Sequence, residues 1–286
     1  MAEPARLTPT MTSSAPEHPS LFVTSGDGTP IALFMSGEAS AGTRPLLLVH
    51  GTSGDHRTWR VVGPMLGRRR QLWGMDRRGR GASGDAPAWS IEREVEDVAA
   101  AAEALASRSV GPVDVVGHSL GGRLALAAAR STPAIGRVVA YESAPGRAEV
   151  DPGLVARLRS LLDDGDLDGL LAAFMTEAVG MPAAELAAFR ANPIWPLRAS
   201  AAPTIVRELE AALAAPAIGL GVLAGVTQPV LQLVGSASPA WFLEGAQALH
   251  ARLPDGRLET IEGARHAAHH SHPVEFTSRV EAFLDF

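Results

Sequence analysis

Short apolar runs closed by glycine or proline alternate along this chain with longer stretches whose apolar residues recur every three or four positions. Leu21–Ser25 and Ile31–Met35 are joined through Gly26-Asp27-Gly28, the turn chemistry of an antiparallel pair. Pro45–Val49 is apolar throughout, as in a strand buried on both faces, and Gln71–Met75, Val113–Val116, Arg137–Glu142, Pro229–Gly235 and Arg257–Ile261 read as further short strands. Ile91–Ala106 places Ile91, Val95, Val98, Ala102 and Leu105 at helical spacing with Glu92, Arg93, Glu96 and Glu103 on other faces. Leu120–Ala129, Ala240–Leu253 and Pro273–Phe286 read as further helices. Strands alternating with helices predict an α/β fold with a mostly parallel sheet.

Between Pro145 and Gln228 the pattern turns to helices separated by prolines: Pro152–Leu162, Leu167–Val179, Ala183–Ala191 and Pro203–Leu213. Phe174, Met175, Met181, Phe189, Ile194, Trp195 and Leu197 give this region abundant apolar surface. The first 20 residues, with Pro4, Pro9, Pro16 and Pro19 among Ser and Thr, have no periodicity and read as disordered. The expected organisation is a disordered segment 1–20, a core in two parts at 21–145 and 229–286, and a helical insertion at 146–228.

Candidate chemistry centres on Gly117-His118-Ser119-Leu120-Gly121, where a β-branched run meets an alanine-rich helical run. A serine between glycines at such a seam reads as a nucleophile elbow, a sharp turn that holds Ser119 in a strained conformation facing a cleft. A Cβ at Gly117 would meet the following helix, and one at Gly121 would block close packing onto the strand. The Arg137–Glu142 strand delivers Glu142 to the same C-terminal sheet edge as Ser119.

Four motifs together resemble the α/β-hydrolase superfamily over most of the chain: this elbow, His50-Gly51-Thr52-Ser53-Gly54, Asp76-Arg77-Arg78-Gly79-Arg80-Gly81, and Gly263-Ala264-Arg265-His266. The resemblance implies an eight-stranded, mostly parallel sheet flanked by helices, with the 146–228 insertion as a helical cap. It implies Ser119 as nucleophile, His266 as base, and Thr52 and Leu120 N–H groups as an oxyanion hole. The family's usual acid position, three residues after the glycine ending a late strand, holds Ser238 here, so the acid is assigned to Glu142, a variant found in some relatives. His50 and Asp76 are expected to be structural. His56 reads as a solvated loop or helix-start residue, and His269, His270 and His272 as surface or helix-cap residues rather than metal ligands. Trp59, Met175 and Trp195 are candidates to line the substrate pocket, with core packing the alternative for both tryptophans.

Composition narrows the chemistry. The chain of 286 residues suits one large α/β domain, and its formal charge of −6 with no dense basic run argues against nucleic acid as a partner. All 25 basic residues are arginine and there is no cysteine, which removes Schiff-base lysines, thiolate nucleophiles and disulfides. The lack of lysine fits a GC-rich bacterial coding sequence. Asp164-Gly165-Asp166-Leu167-Asp168-Gly169 resembles a Ca²⁺ loop, but its twelfth position is Met175 where Glu is required, so it reads as a solvated turn. No cofactor or metal is expected. No apolar run spans a bilayer, making a soluble cytoplasmic protein the default expectation.

A serine at the elbow disfavours dehalogenase and epoxide hydrolase chemistry, which use aspartate there, and Tyr141 is the only tyrosine. The leading expectation is a serine hydrolase that cleaves a carboxylic ester, thioester or lactone of a small, mainly apolar substrate through an acyl-enzyme. The alternatives are a C–C bond hydrolase or cofactor-free perhydrolase on the same residues, and a non-catalytic small-ligand binder on the same scaffold.

Overall fold

The computed structural model describes residues 16–109, 111–143, 151–214 and 218–285. Eight strands form one sheet: β1 (Leu21–Thr24), β2 (Pro30–Ser36), β3 (Leu46–Val49), β4 (Leu72–Met75), β5 (Val113–His118), β6 (Ile135–Tyr141), β7 (Val230–Gly235) and β8 (Gly256–Ile261). Their spatial order is β1-β2-β4-β3-β5-β6-β7-β8. The β1–β2 and β2–β4 pairs are antiparallel and every other pair is parallel, the eight-stranded α/β-hydrolase architecture expected from the motifs.

Strand alternation divides the apolar residues between two layers. Leu47, Val49, Val113, Val115, Val138 and Ala140 face one core, packed by α2 (Ile91–Ala106) and α3 (Leu120–Ser131). Leu46, Leu48, Val116, Val139 and Tyr141 face the other, packed by α1 (Gly63–Leu66) and α12 (Pro273–Leu284). Complete burial of such side chains contributes roughly 1.5–3 kcal/mol each before the cost of chain ordering. This doubly covered sheet is what makes the strand ends rigid enough to position a site.

Between β6 and β7 the described chain builds α4 (Pro152–Asp163), α5 (Leu167–Ala173), a π-helical turn at Phe174–Ala178, α6 (Ala183–Arg190), α7 (Trp195–Ser200), α8 (Pro203–Ala214) and α9 (Leu220–Leu223). These helices enclose an apolar cluster of their own around Leu158, Leu170, Leu171, Phe174, Trp195 and Ile205. The helical pattern at 167–179 is thus split by a π turn, and α7 and α9 are too short to show a period in the sequence. Asp166 caps α5 by accepting from the Gly169 N–H at 2.8 Å, so the acidic turn is a helix start. The helix α10 (Ala240–His250) and the short α11 (Ala268–Ser271) complete the fold.

The expected disordered segment needs correction where it is described. The Pro16 carbonyl lies 3.1 Å from His56 Nε2 and the Ser20 N–H donates to the Leu33 carbonyl at 2.8 Å, so residues 16–20 are held against β2 and the β3–β4 connection. Residues 1–15, and the proposed 145/146 boundary of the insertion, lie outside the described residues. Among the described residues no helix is long and apolar enough to cross a membrane.

Candidate active site

Ser119 sits between β5 and α3 with φ 54° and ψ −125°, a conformation that L-residues avoid. Its neighbours explain how the turn closes. A Cβ on Gly117 would lie 2.4 Å from Gly122 Cα, and one on Gly121 would lie 2.4 Å from the Val49 and His50 carbonyl oxygens. Gly117 therefore admits α3, as expected, while Gly121 admits the end of β3. The Ser119 N–H is fixed by the Tyr141 carbonyl at 2.9 Å. Leu120 opens α3, so its N–H belongs to the group that a helix start leaves without an intrahelical partner.

Glu142 follows β6 directly, is buried and also has positive φ, 46°. Its Oε2 accepts from His266 Nδ1 at 2.6 Å. Its Oε1 accepts from the Gly235 N–H at 2.9 Å and from the Ser238 hydroxyl. Ser238, which stands where the resemblance would put an acid, thus contacts the Glu142 carboxylate. With Nδ1–H given to Glu142, a neutral His266 would have Nε2 free to accept a proton.

The loop bearing His266 is held from beneath by two residues whose part the sequence did not disclose. His118 Nε2 donates to the His266 carbonyl at 2.7 Å. The Tyr141 hydroxyl donates to the Arg265 carbonyl and accepts from the Ala268 N–H, the latter at 3.2 Å. Burial, reinforced by His266, holds His118 well below the ordinary histidine range, so it stays neutral and acts as a fixed donor. The sequence signal was only their position: β5 and β6 end at His118 and Tyr141, side by side in the sheet register.

Ser119, His266, Thr52 and Met175 line one cavity of about 530 Å³. Phe174, Val179, Met181, Phe189 and Ile194 from the insertion line it too, so the helical layer and the strand ends enclose a shared space. Neither Trp59 nor Trp195 belongs to that lining, which corrects their candidacy as pocket residues. Trp195 is drawn into the core of the insertion because its Nε1 donates to Asp168 at 2.6 Å and its ring packs edge-on against Phe189. Trp59 packs beneath the sheet with Val62 and Leu66.

Two other histidine expectations change. His56 starts a 3₁₀ turn (His56–Trp59) but is buried rather than solvated: Nδ1 donates to Asp76 at 2.8 Å and the ring stacks on Phe34 at 3.6 Å. His269 is buried among His118, Tyr141 and Phe276, and with His270 it lines the Ser119 cavity instead of an outer surface; His272 also borders the cavity but is a helix cap as expected, closing α11 and opening α12. His50 has the structural part assigned to it. Its Nδ1 donates to the Gly51 carbonyl at 2.8 Å and its Nε2 accepts from the Arg77 N–H at 3.1 Å, linking the loops after β3 and β4. Asp76 is fully buried and accepts from the His56 and Ala82 N–H groups, which is also a structural part.

A doubly wound sheet with a strained serine at its central strand–helix turn, lining one cavity with a carboxylate-paired histidine, defines a class of proteins before any comparison is made. The sequence profile of the alpha/beta hydrolase family matches residues 46–279, and the chain belongs to that family. It is 33% identical to an alpha/beta hydrolase from Sphaerobacter thermophilus whose crystal structure superposes with a TM-score of 0.75, covering 90% of this chain and 99% of that one. It is 27% identical over 278 residues to a putative 2-succinyl-6-hydroxy-2,4-cyclohexadiene-1-carboxylate synthase of Bacillus subtilis, covering 92% of this chain and 97% of that protein. The enol-lactonase of Burkholderia xenovorans, 23% identical with a TM-score of 0.68 over 93% of this chain and all of that one, shares the fold.

Proposed function

We propose that the protein is a serine hydrolase that cleaves a carboxylic ester, thioester or lactone through an acyl-enzyme, with Ser119 as nucleophile, His266 as general base and Glu142 as the orienting acid. The observation that supports this most directly is the 2.6 Å contact between His266 Nδ1 and Glu142 in a cavity that also exposes Ser119. In this reading His266 Nε2 takes the Ser119 proton as Oγ attacks the acyl carbon, and returns it to the leaving group as the tetrahedral intermediate collapses. The Thr52 and Leu120 N–H groups stabilise the oxyanion, and Glu142 stabilises the imidazolium. Water activated by His266 then releases the acid. The helices at 152–223 act as a cap, and their side chains supply the apolar walls for the substrate's body.

Intact-mass measurement after exposure to a fluorophosphonate tests the assignment. One adduct on the wild type, none on Ser119→Ala and slow formation on Glu142→Gln are expected. An unlabelled, well-folded wild type would remove the hydrolase reading and favour a ligand-binding protein. Labelling of Ser119→Ala would place the nucleophile elsewhere.

A further inference from the structure

The cavity at Ser119 is chemically divided. Against the apolar walls of the insertion stand Arg60 and Arg198, together with His270. Arg198, on α7, is 6% exposed; it donates to the Ser53 carbonyl at 3.0 Å and to Thr58 Oγ1 at 2.8 Å, and lies 4.0 Å from Asp55. Asp55 is already paired with Arg57 at 3.0 Å. Arg60 donates to the Arg57 carbonyl at 3.4 Å and has no carboxylate within 4.0 Å among the described residues. Arg57 and Arg198 therefore share the Asp55 carboxylate, with Asp76 acting on Arg198 from further off, while Arg60 has no direct carboxylate partner among the described residues. The acid among the cavity-lining residues, Glu185, faces Arg265 at 3.5 Å.

The neighbouring groups do not offset this excess. Burial first, and then Arg60 and Arg198, push His270 down to about 3, so it is neutral, and its buried Nδ1 has no hydrogen-bond partner. Desolvation lowers both Arg60 and Arg198, as expected of cations short of counter-charge. A half-enclosed cavity with uncompensated positive charge concentrates anions, and a guanidinium recognises a carboxylate through paired N–H donors.

We propose that Arg60 and Arg198 bind a carboxylate that the substrate carries apart from its scissile bond, so that the substrate is a monoanion with an apolar body. The proposal rests on the hydrolase reading for its reaction but not for its binding site. Arg198 has the further part of bracing Ser53, whose φ of 60° shapes the loop beside Thr52, so Arg60 is the cleaner residue to vary.

The test uses two pairs of esters: p-nitrophenyl hemiglutarate against p-nitrophenyl hexanoate, with the charge on the acyl part, and 4-acetoxybenzoate against phenyl acetate, with the charge on the leaving group. In at least one pair the wild type should favour the anion by about tenfold or more in kcat/KM, the scale of a charge-assisted hydrogen bond. Arg60→Gln should shrink that ratio about tenfold and Arg60→Glu should reverse it. The ratio is the readout, so a general loss of activity does not imitate the result. Glutarate binding, followed by titration calorimetry on the wild type and Arg60→Gln, needs no turnover. Neutral esters hydrolysed with no charge preference in either pair would overturn the carboxylate site and leave the hydrolase reading standing. A preference undiminished in Arg60→Gln would overturn it as well. Glutarate binding lost in Arg60→Gln, with no ester turned over and no fluorophosphonate adduct, would uphold the anion site and sink the hydrolase reading.

Discussion

The Ser238 hydroxyl donates to Glu142 Oε1, so the residue that replaces the family's usual acid hydrogen-bonds to the carboxylate that faces His266. On the proposed assignment the acid stands after β6 rather than after β7, with Glu142 Oε2 2.6 Å from His266 Nδ1. The Gly235 N–H supplies a second donor to the same oxygen. Glu142→Gln keeps the shape but loses the charge, and should lower kcat by about 10⁴, the scale of the comparable change in the serine–histidine–aspartate template. Ser238→Ala leaves the Gly235 donor in place and should cost only about tenfold, equivalent to one hydrogen bond. The rate of fluorophosphonate labelling reads both without knowledge of the substrate. Equal rates in wild type and Glu142→Gln would send the search for the acid elsewhere.

Tyr141 reaches His266 through the backbone of residues 265–268, and His118 does so through the His266 carbonyl and also by direct ring contact at 4.5 Å. Tyr141→Phe removes the acceptor for the buried Ala268 N–H, which should cost about 1–3 kcal/mol of stability. It should also lower kcat with little change in KM, because it loosens His266 without touching the cavity that binds substrate. His118→Leu should also lower kcat, and because His118 lines the Ser119 cavity its KM should move as well; His118→Gln, which retains a donor, should recover part of the loss in kcat. An unchanged kcat in both Tyr141→Phe and His118→Leu would show that the loop holds its place without them.

Most of the sheet could be read from the chain because strands covered on both faces are almost wholly apolar and stop at glycine-containing turns, as Leu46–Val49 does before His50-Gly51 and Val230–Gly235 does at its last residue. The serine turn was legible for the same reason: Gly117 and Gly121 stand where no Cβ fits. The histidines were harder. His56 and His269 are polar in any pattern of alternation, and only contacts distant in sequence, to Asp76 and to Tyr141, decide that they are buried. The tryptophans failed in the opposite sense. Trp195 lies among apolar residues on the insertion that lines the cavity, yet Asp168, 27 positions earlier, turns its ring inward. Arg60 and Arg198 carried no motif, and their meaning comes from a shortage of counter-charge: Arg198 shares Asp55 with Arg57, and Arg60 pairs with no carboxylate among the described residues.

Gly117→Ala should be among the most damaging single changes in the chain, because the new Cβ meets backbone, which cannot rotate away. A loss of about 3 kcal/mol or more, seen as a lower urea midpoint or as insoluble protein, is expected. Gly63→Ala is the contrasting case: open space surrounds its Cβ, and φ there is not positive. It should be neutral or stabilise by up to about 1 kcal/mol through the unfolded chain. Comparable midpoints for the two variants would mean that β5 and α3 can separate at little cost.

Acid should weaken the fold through buried histidines. Burial, the largest cause in each case, holds His50, His118 and His269 well below the ordinary range, and His270 lies at about 3. In the unfolded chain each titrates near 6.5. Above that value neither state binds the extra proton, so the full stability is present. Below it the unfolded state takes up protons that the folded state refuses, and stability falls as pH falls, by about 1 kcal/mol per pH unit for each such histidine. Asp97 and Asp114 are shifted upward by burial and oppose this trend toward the acid end, where carboxylates titrate. The clean window therefore runs from about pH 7 to 5. Urea unfolding at pH 7.5, 6.5 and 5.5 should show the midpoint dropping with an unchanged slope. His269→Phe, placed among the rings of Trp59, Tyr141 and Phe276, should flatten the drop by one histidine's share. A midpoint constant from pH 7.5 to 5.5 in the wild type would mean that these rings accept protons in the folded state, contrary to their burial.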